Sequence, residues 1–125
     1  MNYISIDYWT RKSGLAYSVE GFCFAWKTIS TSDLLNVLPK WALERKAETI
    51  VIGMPYNIDG SMSKHGKRVH EFIQKLETVT TIPVMIHDER LSTSEAILGF
   101  DEYGVNGDVD AEAARLILVD FLNKK

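Results

Sequence analysis

The chain has 125 residues, enough for a single domain with one hydrophobic core over 1–125. Hydrophobic residues make up 46% and charged residues 25% of the sequence, as in soluble globular proteins, and no apolar run is long enough to span a membrane. The formal net charge of −3 argues weakly against a nucleic-acid partner without excluding one, because only a local patch has to be basic. We expect no signal peptide and a cytoplasmic protein, because no basic segment followed by an apolar one opens the chain.

The first part of the chain predicts three short strands joined by tight turns. Tyr3–Asp7 alternates and is rich in β-formers, and Gly14–Val19 and Phe22–Ile29 follow as further strands. Glu20–Gly21 is suited to a two-residue hairpin turn. Together these segments predict an antiparallel meander.

A helix is predicted next, capped by Thr31 or Ser32 and ending at about Arg45. Pro39 lies inside this pattern, and we expect it either to kink the helix or to mark its true start.

The second part of the chain alternates strands and helices. The predicted elements, in order, are a strand at Thr49–Gly53, a helix at Lys64–Val79, a buried strand at Pro83–His87, a helix from Ser92 to about Phe100 and a helix at Asp110–Leu122. Strands separated by a helix pair in parallel through right-handed crossovers. The order therefore predicts an α/β fold, with a mixed sheet and helices packed on its faces.

Charged residues cluster where the strand Pro83–His87 ends: His87, Asp88, Glu89 and Arg90. Ser92 and Glu95 follow at capping-box spacing, so a helix begins directly after the cluster. Ligands of α/β proteins bind at this kind of edge, so we expect Glu89 or Asp88 to face a metal ion. The alternative is a solvated polar turn with an internal acid–arginine pair. His87 is either a ligand or proton shuttle, or a structural histidine.

Two further acids, Asp7 and Asp110, lie at the ends of predicted elements. The apolar face of the last predicted helix also contains Asp110, and its other members are Ala113, Ala114, Ile117 and Phe121. A carboxylate directed at a buried surface is costly unless it is paired or binds a cation, and Mg²⁺ and Mn²⁺ prefer such oxygen ligands. Asp7, Glu89 and Asp110 therefore form a plausible cation site. The alternatives are that Asp7 starts a turn and that Asp110 complements the helix dipole.

Two polar surfaces could contact a substrate near this edge. The loop Met54–Ser63 carries short polar side chains, Asn57, Asp59, Ser61 and Ser63, although turn chemistry alone could account for them. The helix Lys64–Val79 carries a basic face, Lys64, Lys67, Arg68 and Lys75. That face either contacts phosphate or is a solvated surface in which Glu71 pairs with Lys67 or Lys75.

Four motifs in this order resemble the YqgF/RuvX family of the RNase H-like superfamily. They are Asp7 with Arg11, Gly14, Leu15 and Ala16; Ile50–Pro55 with Asn57, Asp59, Gly60 and Ser61; His87–Thr93 with Glu95 and Ala96; and Val109–Asp110 with Ala113 and Ala114. The resemblance implies an RNase H-like fold with a five-stranded sheet of order 3-2-1-4-5. It also implies that Asp7, Glu89 and Asp110 are catalytic and hold a divalent metal, Mg²⁺ or Mn²⁺.

The resemblance implies a nuclease that processes the 5′ end of precursor 16S rRNA, or a resolvase of Holliday junctions, which would be a dimer. We expect nucleic acid as the partner, structured RNA before branched DNA, and a monomer or homodimer. Substrate contacts are expected at Arg11, Asn57, Ser61, Lys64, Arg68 and Arg90. The third alternative is a non-catalytic protein that binds nucleic acid or a transcription factor.

The sequence departs from the family pattern at three positions: Trp9 in place of Gly, Ser13 in place of Ile, and Asp108 in place of Lys. Glycine would let a backbone approach phosphate closely, whereas Trp9 blocks that approach or offers a surface on which a base can stack. Asp108 removes a phosphate contact. These changes bear on substrate geometry more than on the three acids.

Overall fold

The structure is a computed structural model that describes residues 2–89 and 109–124. Its strands are β1 Tyr3–Asp7, β2 Lys12–Val19, β3 Phe22–Ser30, β4 Thr49–Met54 and β5 Val84–Asp88. Its helices are α1 Leu34–Glu44, preceded by a 3-10 turn at Thr31–Asp33, α2 Lys64–Val79 and α3 Val109–Asn123. The predicted helix Ser92–Phe100, together with Arg90, Glu95 and Asp108, lies outside the described residues.

The five strands form one mixed sheet in the order β3-β2-β1-β4-β5, which confirms the predicted topology. β1, β2 and β3 are antiparallel neighbours, and β4 lies parallel to both β1 and β5. The hairpin turn between β2 and β3 is also where the sequence predicted it. Glu20 and Gly21 both have positive φ angles, 51° and 87°, as two-residue hairpin loops require.

Helices cover both faces of the sheet, and strand alternation decides which residues meet which helix. Ile4 and Ile6 of β1 face a large core built with α1 and α2. Tyr3 points to the opposite face of the sheet and belongs to a smaller core with Ile117 and Leu118 of α3. The Ser5 hydroxyl donates a 2.7 Å hydrogen bond to a backbone carbonyl of α3, so the odd-numbered residues of β1 face α3.

The start of α1 differs from the prediction. The helix begins at Leu34, and neither the 3-10 turn nor α1 has a side-chain cap. Thr31 is not free to cap because its hydroxyl donates a 2.6 Å hydrogen bond to the Trp9 carbonyl oxygen. The helix continues through Pro39, so the proline does not mark its start.

One burial prediction was wrong, and another was only partly right. Met85 and Ile86 of β5 are 48% and 42% exposed, because β5 is an outer strand of the sheet that the described residues form. The predicted buried face of α3 is confirmed at Ala114 and Ile117, and Phe121 packs against the same core, but Ala111 and Leu118 are buried as well and Ala113 is only half-buried. Asp110 lies at the border of the packed face and is half-buried.

Within the described ranges, no helix has both the length and the apolar character needed to cross a membrane.

Candidate functional site

Asp7 is the last residue of β1, in the centre of the sheet, and it is only 8% exposed. Strand alternation places it on the face of the sheet that Tyr3 and Ser5 present to α3. A carboxylate is thereby held at the end of a central strand, beneath the start of a helix.

Gly14 of β2 lets α3 approach this carboxylate. It is the register partner of Asp7, and a Cβ atom built on it would overlap the backbone carbonyl of Asp110 and the nitrogen of Ala111. The first turn of α3 therefore lies directly on the β2 backbone, beside Asp7. Any side chain at position 14 would occupy the same space as the helix backbone.

Gly53 of β4 leaves space for the Glu89 side chain, as Gly14 leaves space for α3. A Cβ atom on Gly53 would overlap the Glu89 carboxylate and come within 2.7 Å of the Ile117 Cδ1 atom of α3. The Glu89 side chain therefore lies over the β4 backbone, on the α3 face. Because β4 pairs with β1, this position brings Glu89 towards Asp7.

The pKa values of both acids reflect this crowding. Burial raises the pKa of Asp7 to about 6, with a further increase from Asp110, while a hydrogen bond from the Trp9 indole acts in the opposite direction. Burial also raises the pKa of Glu89 to about 7, and the negative charges of Asp7 and Asp88 add to the effect. These carboxylates are buried and repel one another, which is the environment that a bound cation stabilises.

No three acidic, histidine or cysteine side chains form a ready-made metal cage within residues 2–89 and 109–124. The structure places Asp7 close enough to both Asp110 and Glu89 to interact with each of them electrostatically. The donor set, three carboxylates at one edge of the sheet, suits a hard divalent cation. Convergence of all three on one ion stays a prediction.

The loop after β1 carries a contact that the sequence did not reveal. The indole N–H of Trp9 donates a 3.0 Å hydrogen bond to Asp7 Oδ2, and its ring stacks on His65 at the start of α2. The Ser13 hydroxyl is bonded to both the nitrogen and the carbonyl oxygen of Trp9. Trp9 and Ser13, two of the departures from the family pattern, are therefore in direct contact.

Cationic side chains share a cleft with Asp110. An open cleft of about 600 Å³ is lined by Arg11, Lys12, Thr28, Ile29, Ser30 and Asp110. Arg11 was predicted as a substrate contact, whereas Lys12 was not. The cleft combines positive charge with a candidate metal ligand, as a phosphate site next to a metal would require.

The predicted contacts of the loop between β4 and α2 are engaged within the loop itself. The Asn57 side-chain amide donates to the Ser61 hydroxyl at 2.9 Å, and the Ser61 hydroxyl donates to Asp59 Oδ1 at 2.6 Å. Ser63 caps α2 by accepting from the Gly66 nitrogen. These bonds favour the turn-chemistry alternative for this loop.

The remaining predicted residues divide into three groups. Lys64 and Arg68 are exposed on α2. Burial raises the pKa of Tyr8 and the positive charge of Arg68 opposes that increase, so Arg68 lies near the loop that follows Asp7. His87 is buried, and its Nε2 atom is 2.8 Å from Asp120 Oδ2 of α3, which favours the structural alternative. Arg90 lies outside the described residues.

Gly14 and Gly53 were missed as site residues, although the sequence carried a signal for both. Glycine inside a strand weakens it, and is often found where another backbone approaches closely. Both glycines lie in predicted strands that were already expected to lie near an acid.

The chain is similar in sequence to a known protein family and to curated proteins. The profile of a family described as RuvX, Holliday junction resolvase, matches residues 1–124. A protein of Nitratidesulfovibrio vulgaris named "Putative pre-16S rRNA nuclease" is 36% identical, over 98% of this chain and 94% of its own length. A protein of Sodalis glossinidius with the same name is 33% identical, over 97% and 93%.

The fold is similar to that of Thermus thermophilus RuvC. RuvC in complex with a Holliday junction substrate superposes with a TM-score of 0.64 at 12% identity, covering 99% of this chain and 96% of that one. A second RuvC structure from the same organism gives a TM-score of 0.56 at 14% identity, with the same coverage. This likeness supports the RNase H-like fold that the sequence implied.

Proposed function

The chain belongs to the RuvX family, and from this premise we propose that it is a divalent-metal-dependent endonuclease that processes the 5′ end of precursor 16S rRNA. The observation that carries the proposal is the buried Asp7 carboxylate, which lies beneath the first turn of α3 and interacts with both Asp110 and Glu89. Charged acids that are buried and repel one another are costly, and a bound cation would offset that cost.

Asp7, Glu89 and Asp110 would hold the cation, Mg²⁺ or Mn²⁺, which when bound supplies charge stabilisation and an activated water for phosphodiester hydrolysis. The chain's own contribution is positioning. Gly14 and Gly53 let two of the acids approach β1, and the Trp9 indole fixes the orientation of the third, Asp7. Arg11 and Lys12 offer positive charge to the phosphates of the substrate in the adjoining cleft.

The description of the matching family favours a second candidate, resolution of Holliday junctions. The same acids would then cut branched DNA. A four-way junction has two-fold symmetry, so a resolvase should act as a dimer, and its mass in solution separates the two candidates.

Cleavage assays test the proposal directly. Precursor 16S rRNA, an unstructured RNA and a four-way DNA junction are each incubated with the protein in Mg²⁺, in Mn²⁺ and in a chelator. We expect metal-dependent cleavage of the precursor at its 5′ end, and none by the Asp7→Asn variant. Preferential cutting of the junction would favour the resolvase. Absence of cleavage on all three substrates would contradict both candidates and leave a binding protein.

The Gly53→Ala variant should show that the position of Glu89 matters. Its Cβ atom would overlap the Glu89 carboxylate, which would have to leave its present position. Because small misplacements of catalytic groups are costly, we expect cleavage to fall about tenfold with the fold retained. The assay is single-turnover cleavage beside a thermal melt.

Gly66→Ala in α2 is the matched control for this variant. Its Cβ atom would come no closer than 3.2 Å to its neighbours, and alanine suits a helix better than glycine. Equal cleavage by Gly53→Ala and the parent protein would show that Glu89 is not held at a required position.

Phosphate contact by α2 is also testable. Lys64 and Arg68 are exposed, and among the described residues Glu71 forms no ion pair with Lys67 or Lys75. If both cations contact phosphate, the Lys64→Ala and Arg68→Ala variants should each reduce the salt slope of RNA affinity by about 0.7. Fluorescence anisotropy titrations at several salt concentrations measure this slope.

The control is Lys40→Ala, which removes one exposed charge from α1. Its salt slope should equal that of the parent protein. Equal slopes in all three variants would assign the basic face of α2 to solvent.

A further inference from the structure

Trp9 presents an aromatic surface beside the candidate metal site, and we propose that this surface stacks on an unpaired nucleobase of the substrate. The inference rests on the proposed function and narrows its substrate class to RNA with unpaired nucleotides at the cleavage site. Its starting point is the 3.0 Å hydrogen bond between the indole N–H and Asp7 Oδ2. A base on this ring would belong to a nucleotide whose phosphate lies at or next to the acids.

Among the contacts made by residues 2–89 and 109–124, one face of the indole is left available for stacking. The other face lies on the His65 imidazole, with a centroid distance of 4.5 Å and an interplanar angle of 17°. The N–H edge is occupied by Asp7, and yet the residue is 50% exposed. Since one face and one edge are covered, the exposed half is the remaining face and the opposite edge.

The ring is held in place before any substrate arrives. Thr31 donates to the Trp9 carbonyl oxygen at 2.6 Å, and Ser13 is bonded to the same backbone. His65 also bonds the neighbouring Tyr8 carbonyl oxygen, at 2.8 Å. A rigid aromatic side chain loses little conformational entropy on binding, which favours its use as a stacking surface.

A base inside a duplex is stacked on its neighbours and cannot offer its face to Trp9. Duplex RNA is contacted mostly through its backbone and the hydroxyl groups of its minor groove. Base–aromatic stacking is tolerant of sequence because every base has a π-face. Trp9 would therefore select for unpaired nucleotides and not for a particular base.

The test compares two substitutions that separate the ring from its N–H group. Trp9→Leu removes both, whereas Trp9→Phe keeps a smaller aromatic ring and loses the bond to Asp7. Phe22→Leu is the control, because Phe22 is an exposed aromatic residue on β3 at 69% exposure. All three are made in a Glu89→Gln background in Mg²⁺, so that the probes stay intact and binding is read without activity.

The probes are a single-stranded RNA of about 12 nucleotides, a common size for single-strand sites, and the same strand in a duplex. We expect Trp9→Leu to weaken single-strand affinity about tenfold or more, the usual effect of losing one stacked base, and to leave duplex affinity unchanged. Trp9→Phe should stay within about threefold of the parent on both probes. Phe22→Leu should match the parent on both.

Tryptophan emission gives a second readout that a purely structural role would not move. Stacking of a base on Trp9 should quench emission when the single strand is added, and the quench should be absent in Trp9→Phe. The other two tryptophans, Trp26 and Trp41, stack on each other and supply a constant background. A quench that persists in Trp9→Phe would overturn the proposal.

The stacking proposal would also be overturned if Trp9→Leu lost the same affinity for both probes, or lost affinity for neither. It would be overturned as well if Trp9→Phe bound the single strand as weakly as Trp9→Leu does. These outcomes are independent of the cleavage assays. If the parent protein cleaves RNA and Trp9→Leu binds both probes normally, the stacking inference alone fails. If nothing is cleaved while the single-strand preference depends on Trp9, the proposed nuclease activity alone fails.

Discussion

The Asp7→Asn variant is expected to lose about 10³-fold or more of its cleavage rate and yet to be more stable than the parent protein when metal is absent. Activity should fall because a cation ligand at the centre of the site loses its charge. Stability should rise because asparagine has no charge to bury, while its side-chain oxygen can still accept the Trp9 hydrogen bond. A residue that served only the fold would lose stability when substituted.

The direction of the pKa shifts of Asp7 and Glu89 determines how the stability of the metal-free protein depends on pH. The pKa of Asp7 is raised from 3.8 to about 6, and that of Glu89 from 4.5 to about 7. A raised carboxyl pKa means that the folded state binds protons more tightly than the unfolded state. This contribution to stability is fully present below the ordinary pKa and is lost as the pH rises to about 7. The metal-free parent protein should therefore be more stable at about pH 5 than at about pH 8.

Denaturant unfolding in a chelator measures both effects. At about pH 8, Asp7→Asn should raise the free energy of unfolding by on the order of 2 kcal/mol relative to the parent, and the difference should shrink towards about pH 4. The control is Glu44→Gln, which changes an exposed acid of α1. Adding Mn²⁺ should stabilise the parent and not Asp7→Asn. Full activity, or a lower stability without metal, would contradict the assignment of Asp7.

Local patterns in the sequence were sufficient for most of the fold. The helix Lys64–Val79 was predicted with its observed bounds, because Val69, Phe72, Ile73 and Leu76 recur at helical spacing. The burial of β5 was not predictable in the same way. An apolar run has the same sequence in a central strand and in an outer one, and only the order of the strands decides how much of it is covered.

The acidic residues of the candidate site could be predicted from the sequence, but the contacts that hold them in position could not. Asp7 and Glu89 follow strands, and their position at one edge of the sheet follows from parallel pairing. The bond from Trp9 to Asp7 is different, because it needs a loop conformation fixed by Ser13 and by Thr31 from a distant part of the chain. No local pattern contains that information.

The position of Asp110 depends on packing between β2 and α3, and the Gly14→Ala variant tests it. Its Cβ atom would overlap backbone atoms of Asp110 and Ala111, which cannot rotate away as a side chain could. The first turn of α3 would have to lift from β2, and Asp110 would move away from Asp7. Misplacement of about 1 Å in an active site can cost about 10²-fold in rate, so we expect a loss of that size. Stability should also fall, by about 1–3 kcal/mol, as in other overpacked interiors.

Cleavage by Gly14→Ala must be measured where the variant is fully folded, as checked by its melting curve, so that lost activity is not lost protein. Gly66→Ala again serves as the control, because the atoms nearest to its Cβ atom belong to the side chains of Met62, Ser63 and Met54, at 3.2–3.3 Å. The loss should persist at saturating Mn²⁺ if Asp110 has moved too far to act with Asp7. A folded Gly14→Ala variant with the cleavage rate of the parent would show that the contact of α3 with β2 does not set the geometry of the site.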